Sequence, residues 1–302
     1  MIQKHYAAID IGSNAVRLLI KRVARNEETN EVKLQKDLLL RVPLRLGFDV
    51  FGHGKISRGK RKDLCRLMKS YRQLMDIYDV KSYRACATSA MRDSKNGASL
   101  IKKIRKTSGI NIDIIDGQEE ARIIYNNHIE CTEDRKGTFM YVDVGGGSTE
   151  LNLLSDGQLV WSRSFNIGTV RILTEGVTEA DWAVMHEAID TQAKAFGTIN
   201  IIGSGGNINK LYRLAPQKDK AKKRITIDTL QKLHDQLAPL SVQQRIDQFE
   251  LKPDRADVIV PAAKIFLFVA KAISSEYVSV PVIGLADGII DRLYAADIDN
   301  VM

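Results

Sequence analysis

The feature of this sequence that most constrains its fold is a short pattern that occurs twice. "AIDIGS" at 8–13 and "YVDVGGGS" at 141–148 each place an aspartate near the end of an apolar run, then a glycine turn, then a second apolar run. Such a pattern predicts two strands joined as a hairpin. Elsewhere strand-like segments alternate with segments of helical periodicity, such as Asp63–Tyr78. We therefore predict an α/β protein built from two similar units.

The chain length supports the same division. The 302 residues exceed one typical domain. We place the first domain at 1–123 and the second at 124–302, and the closing helix from about 287 can return to pack on the first. Two similar domains that face each other would form a cleft lined by both aspartates and both glycine turns.

Composition narrows the possible partners. A net charge of +8 favours an anionic one, which can be nucleic acid, a membrane surface or a phosphorylated molecule or polymer. Aromatic residues are only 6% and are not interleaved with the basic runs, which argues against nucleic acid. The most apolar segment, 258–273, contains Pro261, Lys264 and Lys271, so no membrane span is expected.

Other residue types exclude further classes of site. Three cysteines without a CxxC pair and five histidines without an HxxxH pair favour neither a disulfide framework nor zinc. Asp10 interrupts the N-terminal apolar stretch, so no signal peptide is readable. We expect a cytoplasmic protein.

The two glycine turns carry the chemistry. Successive backbone N–H groups in such turns form a concave anion site, and the hydroxyls of Ser13, Ser148 and Thr149 add donors. Asp10 and Asp143 each supply a hard oxygen suited to Mg²⁺, usually through water. Phosphate held by N–H groups beside a carboxylate-bound metal is the equipment of phosphoryl transfer.

A third glycine loop, "IIGSGGN" at 201–207, leads from a strand towards a helix that begins near Asn207. The amides of Gly205 and Gly206 would favour an anion at that helix N-terminus. Close packing of the helix on the strand explains the glycines equally well, and the pattern is not a Walker A loop because no Lys-Ser/Thr follows.

Hydrolysis also needs a base. Glu119 and Glu120 open a helix directly after a predicted strand, where they are either catalytic or complementary to the helix dipole. Glu150 follows the second glycine turn and can act as a base or as a metal ligand. Arg92 and Arg171 are the arginines expected on phosphates, with surface ion pairing as the alternative for each.

Several blocks, in order and spacing, resemble the exopolyphosphatase / guanosine pentaphosphate phosphohydrolase family. They are "AIDIGSNAVRLLI", "ATSAMRDSKN", "GQEEARIIY", "YVDVGGGSTELNLL", "SFNIGTVRIL", "GSGGNI", "RADVIVPAAKI" and "GLADGIIDRLY". The resemblance implies two ribonuclease-H-like domains of the actin-like ATPase superfamily with an interdomain cleft. It also implies Mg²⁺-dependent removal of a terminal phosphate.

The same resemblance implies roles for individual residues. Glu120 would be the base for the attacking water, while Asp143 and Glu150 would organise metal or water. The implied phosphate-binding residues are Asp10, Gly12, Ser13, Asn14, Arg92, Gly145, Gly146, Gly147 and Ser148. The chain departs from the family pattern at Arg17, where histidine is frequent, and at the third loop, where threonine often follows the glycine pair. Longer members also carry an additional C-terminal helical domain.

Four functions remain to be compared. The leading prediction is an exopolyphosphatase acting on inorganic polyphosphate, and guanosine pentaphosphate is the nearest alternative substrate. A sugar-type kinase shares the fold but needs a catalytic aspartate in a sugar pocket, which is not evident. A non-catalytic regulator that binds (p)ppGpp or polyphosphate would not need Glu120, Asp143 and Glu150. A homodimer is possible.

Overall fold

The computed structural model describes residues 4–25, 32–123, 137–281 and 284–299. Contacts between residues divide the chain into two units. One comprises Met1–Asn127 together with Leu285–Met302, and the other His128–Gly284. The predicted boundary at 123/124 adjoins residues outside the described ranges, so it stays a prediction.

The first unit is built on a five-stranded sheet with the order β3-β2-β1-β4-β5. The strands are β1 His5–Ile11, β2 Val16–Arg25, β3 Val32–Val42, β4 Val80–Ala87 and β5 Asp113–Ile114. The first three strands are antiparallel, whereas β4 and β5 run parallel to β1. This is the ribonuclease-H-like order that the resemblance implies.

The second unit repeats this order in a six-stranded sheet, β10-β11-β9-β6-β7-β8. Its strands are β6 Thr138–Val144, β7 Thr149–Ser155, β8 Gln158–Phe165, β9 Ile199–Ser204, β10 Arg224–Thr226 and β11 Tyr277–Ser279. Again three antiparallel strands come first, and β9 and β11 run parallel to β6. Only the edge strand β10 is added, so the predicted α/β class and the structural repeat are confirmed.

The helices of the first unit follow the sequence patterns closely. They are α1 Leu46–His53, α2 Arg58–Ile77, α3 Ser89–Asp93, α4 Gly97–Ser108 and α5, described over 117–123. The periodic segment from Asp63 lies in α2, which begins earlier because the Ser57 hydroxyl caps it by accepting from the Lys60 amide. Gly109 ends α4 in the left-handed conformation at φ 70°, as its position predicts.

The helices of the second unit surround its sheet. They are α6 Thr169–Leu173, α7 Glu179–Ala193, α8 Gly206–Leu214, α9 Ile227–Leu237, α10 Val242–Phe249, α11 Pro253–Ala256 and α12 Ile259–Ala272. Helix α12 is buried along most of its length and contacts α7, α8, α9 and β6. It is apolar nearly all round because it fills the centre of this unit's core. Within the described ranges, no helix combines the length and the apolar character needed to cross a bilayer.

The last helix, α13 (Leu285–Asp299), packs on the sheet of the first unit, against β1, β2 and β4. The hydroxyl of buried Tyr6 donates to Asp297 at 2.8 Å, and Lys21 pairs with Asp287 at 2.8 Å. A Cβ atom on Gly288 would lie 2.4 Å from the carbonyl oxygen of Ile123, so glycine permits α13 to approach α5 closely.

Candidate active site

The two glycine turns share one backbone arrangement. Gly12 N–H donates to the carbonyl of Ala15 at 3.1 Å, and Gly145 N–H donates to the carbonyl of Ser148 at 2.9 Å. In each case an aspartate is the next-to-last residue of the strand before the turn, Asp10 on β1 and Asp143 on β6. The repeated pattern in the sequence is therefore a repeated hairpin in the fold.

The second turn is held from one side by α6. The carbonyl of Gly145 accepts from Thr169 N–H at 3.0 Å, and that of Gly146 accepts from Val170 N–H at 2.8 Å and from Arg171 N–H at 3.0 Å. The carbonyl of Gly147 accepts from the side-chain Nε of Arg171 at 2.9 Å. All three glycine carbonyls therefore point towards α6.

The direction of these carbonyls fixes the direction of the amides. In a trans peptide the C=O of one residue and the N–H of the next point in opposite directions. The N–H groups of Gly146, Gly147 and Ser148 therefore point away from α6, side by side. Such a row of amides is an anion-binding concavity.

Gly168, at the start of α6, makes this arrangement possible. A Cβ atom at this position would lie 2.4 Å from the carbonyl carbon of Gly147 and 2.5 Å from that of Gly146. Its φ of −137° is open to any residue, so the glycine is required by the close approach of two backbone segments. Arg171 contacts the same turn, because its side-chain Nε donates to the Gly147 carbonyl and helps to hold that carbonyl in place.

The first turn is held in the same manner by the start of α1. The carbonyl of Ser13 accepts from Gly47 N–H at 2.8 Å, and that of Asn14 accepts from Arg45 N–H at 2.9 Å. The amides of Asn14 and Ala15 therefore point away from α1. The Ser13 hydroxyl shares a hydrogen bond of 2.9 Å with the hydroxyl of Ser89.

The two hairpins differ in the residue opposite the aspartate. Asp10 faces Arg17 across β1 and β2, and the guanidinium of Arg17 donates to the Asp10 carboxylate. At the equivalent position Asp143 faces Glu150 across β6 and β7. One hairpin thus carries a neutralised ion pair, whereas the other carries two carboxylates.

Asp143 and Glu150 are suited to hold a cation. One carboxylate oxygen of each lies within 4.8 Å of the other, and the side chains are 9% and 1% exposed. The Ser164 hydroxyl donates to Glu150 at 2.9 Å. Two buried carboxylates this close repel each other unless a cation lies nearby, and hard oxygen ligands suit Mg²⁺. The donor set therefore fits the predicted metal.

The third glycine loop adjoins this pair of carboxylates. Gly205 has a φ of 96°, and a Cβ atom there would lie 3.0 Å from Oδ1 of Asp143. Gly206 lies against the guanidinium of Arg255, which donates to the side-chain oxygen of Asn207 at 2.6 Å. Gly205 is thus placed beside Asp143, while Gly206 is placed beside an arginine.

In the first unit, Arg92 and Glu120 lie beside the segment that leads into α5. The guanidinium of Arg92 donates to the carbonyl of Ile115 at 3.0 Å. Glu120 is 9% exposed, and its amide donates to the carbonyl of Asp116 at 3.0 Å. Its neighbour Glu119 instead forms an ion pair with Arg84 at 2.6 Å. Of the two candidate bases, Glu120 is the buried one.

The sequence interpretation did not identify Gly168 or Arg255 and assigned no role to Arg17. The position of Arg17 could have been predicted from the sequence, because a turn closed between Gly12 and Ala15 sets the strand register that places Arg17 opposite Asp10. The other two act through contacts distant along the chain, which no local pattern marks.

Comparison with known proteins agrees with this arrangement. The sequence profile of the Ppx/GppA phosphatase family matches residues 27–296. The bifunctional 3-dehydroquinate synthase/phosphatase of Fusobacterium nucleatum is 30% identical over 278 residues, covering 84% of this chain and 41% of that protein. A putative exopolyphosphatase of Haemophilus influenzae is 24% identical, covering 87% and 83%.

The crystal structure of the Aquifex aeolicus Ppx/GppA family member superposes with a TM-score of 0.76 at 25% identity. The match covers 98% of this chain and 99% of that one. With two ribonuclease-H-like sheets, a repeated glycine hairpin and a profile match over most of its length, this chain belongs to the Ppx/GppA phosphatase family.

Proposed function

We propose that the protein hydrolyses the terminal phosphoanhydride bond of inorganic polyphosphate with Mg²⁺ and releases orthophosphate. One observation carries the proposal: the three amides of Gly146, Gly147 and Ser148 point to one side, next to a pair of opposed carboxylates. An anion site beside a cation site matches a phosphate that bears a metal.

The proposal assigns the terminal phosphate to the second glycine turn, where successive N–H groups bind its oxygens. Asp143 and Glu150 would hold Mg²⁺, with Ser164 keeping the Glu150 carboxylate in place. When bound, Mg²⁺ offsets the negative charge of the phosphates and of the transition state. Asp10, Gly12, Ser13, Asn14, Arg92, Gly205 and Gly206 are proposed to bind further phosphates or to shape their site.

Glu120 is proposed as the base. Water attacks the terminal phosphorus, Glu120 accepts its proton, and the bond between this phosphorus and the bridging oxygen breaks. The shortened polyphosphate leaves with the bridging oxygen as part of its new terminal phosphate. Glu120 is the buried member of the adjacent pair of glutamates, which favours it over Glu119 for this role.

Polyphosphate is preferred over guanosine pentaphosphate because the chain carries a net charge of +8, which favours a polymer of negative charge. The relative from Haemophilus influenzae is described as a putative exopolyphosphatase. Guanosine pentaphosphate is the alternative substrate. A non-catalytic regulator is the alternative function.

The test measures phosphate release from long-chain polyphosphate, tripolyphosphate and guanosine pentaphosphate in parallel, with Mg²⁺. We expect the fastest release from polyphosphate and a loss of at least ~10² in kcat for Glu120→Gln, as for removal of a general base. Glu119→Gln is the matched control: it changes the adjacent carboxylate, which pairs with Arg84, and should retain most of the activity.

Three results would contradict the proposal. Faster release from guanosine pentaphosphate would reassign the substrate. Equal losses in both variants would remove the special role of Glu120. Binding of polyphosphate without release of phosphate by the wild type would make the protein a regulator.

A further inference from the structure

An open cavity of about 680 Å³ lies on the surface between α9 and α12 in the second unit. Its volume falls in the range of pockets that bind small molecules, about 300–1,000 Å³. Its lining includes Ile227 and His234 from α9, Lys264, Leu267, Phe268 and Lys271 from α12, and Ser275. The proposed hydrolysis uses none of these residues.

The cavity lies at the opposite edge of the sheet from the second glycine turn. The hydroxyl of Ser275 donates to the side-chain oxygen of Asn200, near the amino end of β9. The turn instead follows the carboxyl end of β6, where Asp143 is in register with Ser204 at the other end of β9. Asn200 and Ser204 are four residues apart on β9, which separates these two ends of the sheet by roughly 13 Å, so the cavity is a separate site.

The charged groups of the lining are all basic. Lys264 and Lys271 lie two helical turns apart on one face of α12, which separates their Cα atoms by about 10 Å along the helix axis. His234 belongs to the lining from α9, and its Nδ1 lies 3.1 Å from the carboxylate of Asp235 just outside the lining, so the positive charge of the cavity comes from the two lysines. An anionic ligand is therefore complementary to the cavity.

Between the two lysines the lining is apolar. Leu267 and Phe268 lie between them on α12, and Ile227 on α9 also belongs to the lining. The Phe268 ring packs at 4.7 Å from the ring of Trp182, and the Lys264 ammonium lies 5.3 Å over that same indole. Packing against Trp182 holds the Phe268 ring in place, so the cavity offers a fixed aromatic surface between positive charges.

We propose that this cavity binds a nucleotide, with the base against Leu267 and Phe268 and the phosphate at a lysine. A nucleotide joins an apolar planar body to a negative group, and both parts have a counterpart in the lining. Inorganic polyphosphate lacks the apolar body, so it would leave Leu267 and Phe268 uncovered. The site would allow a nucleotide to bind apart from the proposed site of hydrolysis.

GMP is the appropriate probe, because it has no phosphoanhydride bond and is not a substrate of the proposed reaction. Its binding to the full chain is measured by calorimetry for the wild type, for a Lys264→Gln/Lys271→Gln double variant and for Lys232→Gln. Lys232 is the matched control: it lies on α9, pairs with Asp228 at 2.8 Å and does not line the cavity. We expect saturable binding that weakens at least about tenfold in the double variant and is unchanged in the control.

Photo-cross-linking with 8-azido-GMP then locates the nucleotide. The proposal requires label on peptides from α9 or α12 in the wild type and its loss in the double variant. The absence of saturable GMP binding, an affinity that the two lysine changes leave intact, or label confined to 141–148 would each overturn it. Circular dichroism of the double variant checks that the unit remains folded.

Discussion

Replacement of Gly168 by alanine tests whether the position of the second glycine turn controls activity. The new methyl carbon would lie 2.4 Å from the carbonyl carbon of Gly147, where ordinary contact begins near 3.4 Å. The turn or α6 must therefore shift by about 1 Å to relieve the overlap. The backbone angles at 168 suit alanine, so no conformational strain adds to this steric effect.

A displacement of about 1 Å in a group that positions substrate costs roughly 10²-fold in rate, and overpacking of this kind costs about 1–3 kcal/mol of stability. We therefore expect Gly168→Ala to lose about two orders of magnitude in kcat/KM for phosphate release from polyphosphate. Its melting temperature should fall by several degrees at most.

The matched control is Gly197→Ala in the same unit, where a Cβ atom would meet nothing within 4 Å. It should behave as the wild type in both measurements. The reasoning would be refuted by a Gly168→Ala protein with a lowered melting temperature but wild-type kcat/KM, since the contact would then matter for packing alone.

Three further predictions concern stability. Arg17→Met removes the ion-pair partner of Asp10, a residue only 3% exposed, and should cost about 1–3 kcal/mol in urea unfolding. The double variant Asp10→Asn/Arg17→Met should recover part of that loss, and a double variant worse than the sum of the single changes would contradict the pairing. Mg²⁺ should raise the melting temperature of the wild type above its value in EDTA. The rise should be smaller for Glu150→Gln, because this variant no longer has two like charges for the cation to offset. An equal rise would exclude Glu150 from the cation site. The hydrogen bond from Tyr6 lowers the pKa of Asp297 below its usual value near 3.8. The stabilisation of the folded state by this hydrogen bond is therefore present above pH 3.8 and is lost as the pH falls through the lowered pKa. Tyr6→Phe should therefore reduce the hydrogen-exchange protection of α13 by under about 1 kcal/mol at pH 7, since Asp297 is partly exposed, and the difference should disappear in acid; a constant difference down to pH 2 would contradict this account.

The parts of the fold that the sequence predicted are those with local signals. Asp10 and Asp143 before glycine turns marked both hairpins, and the three- and four-residue spacing marked α2. Gly109 marked the end of α4 because its left-handed conformation is a local property. Such features depend on neighbours in the chain, so they can be read without knowledge of tertiary contacts.

The remaining features depend on contacts between distant segments. Of the two outer antiparallel strands, β3 has no glycine turn before it, whereas β8 follows the two-residue turn Asp156–Gly157, a local hairpin signal that the sequence analysis did not use. Gly168 is required by the backbone of Gly146 and Gly147, more than twenty residues away, and Arg255 reaches Asn207 across 48 residues. The choice of Glu120 rather than Glu119 as the base rested on resemblance alone. Burial distinguishes these two adjacent carboxylates, and the burial of a residue cannot be read from the sequence.

The residue opposite each hairpin aspartate decides the charge that each hairpin of this chain carries. Because both turns close in the same way, that residue lies seven positions after the aspartate in each hairpin: Arg17 follows Asp10, and Glu150 follows Asp143. A basic residue there gives a neutral pair, and an acidic one gives two carboxylates whose charge a cation can offset. One substitution at this position is therefore enough to reverse the kind of ion that such a hairpin attracts, while its backbone stays the same.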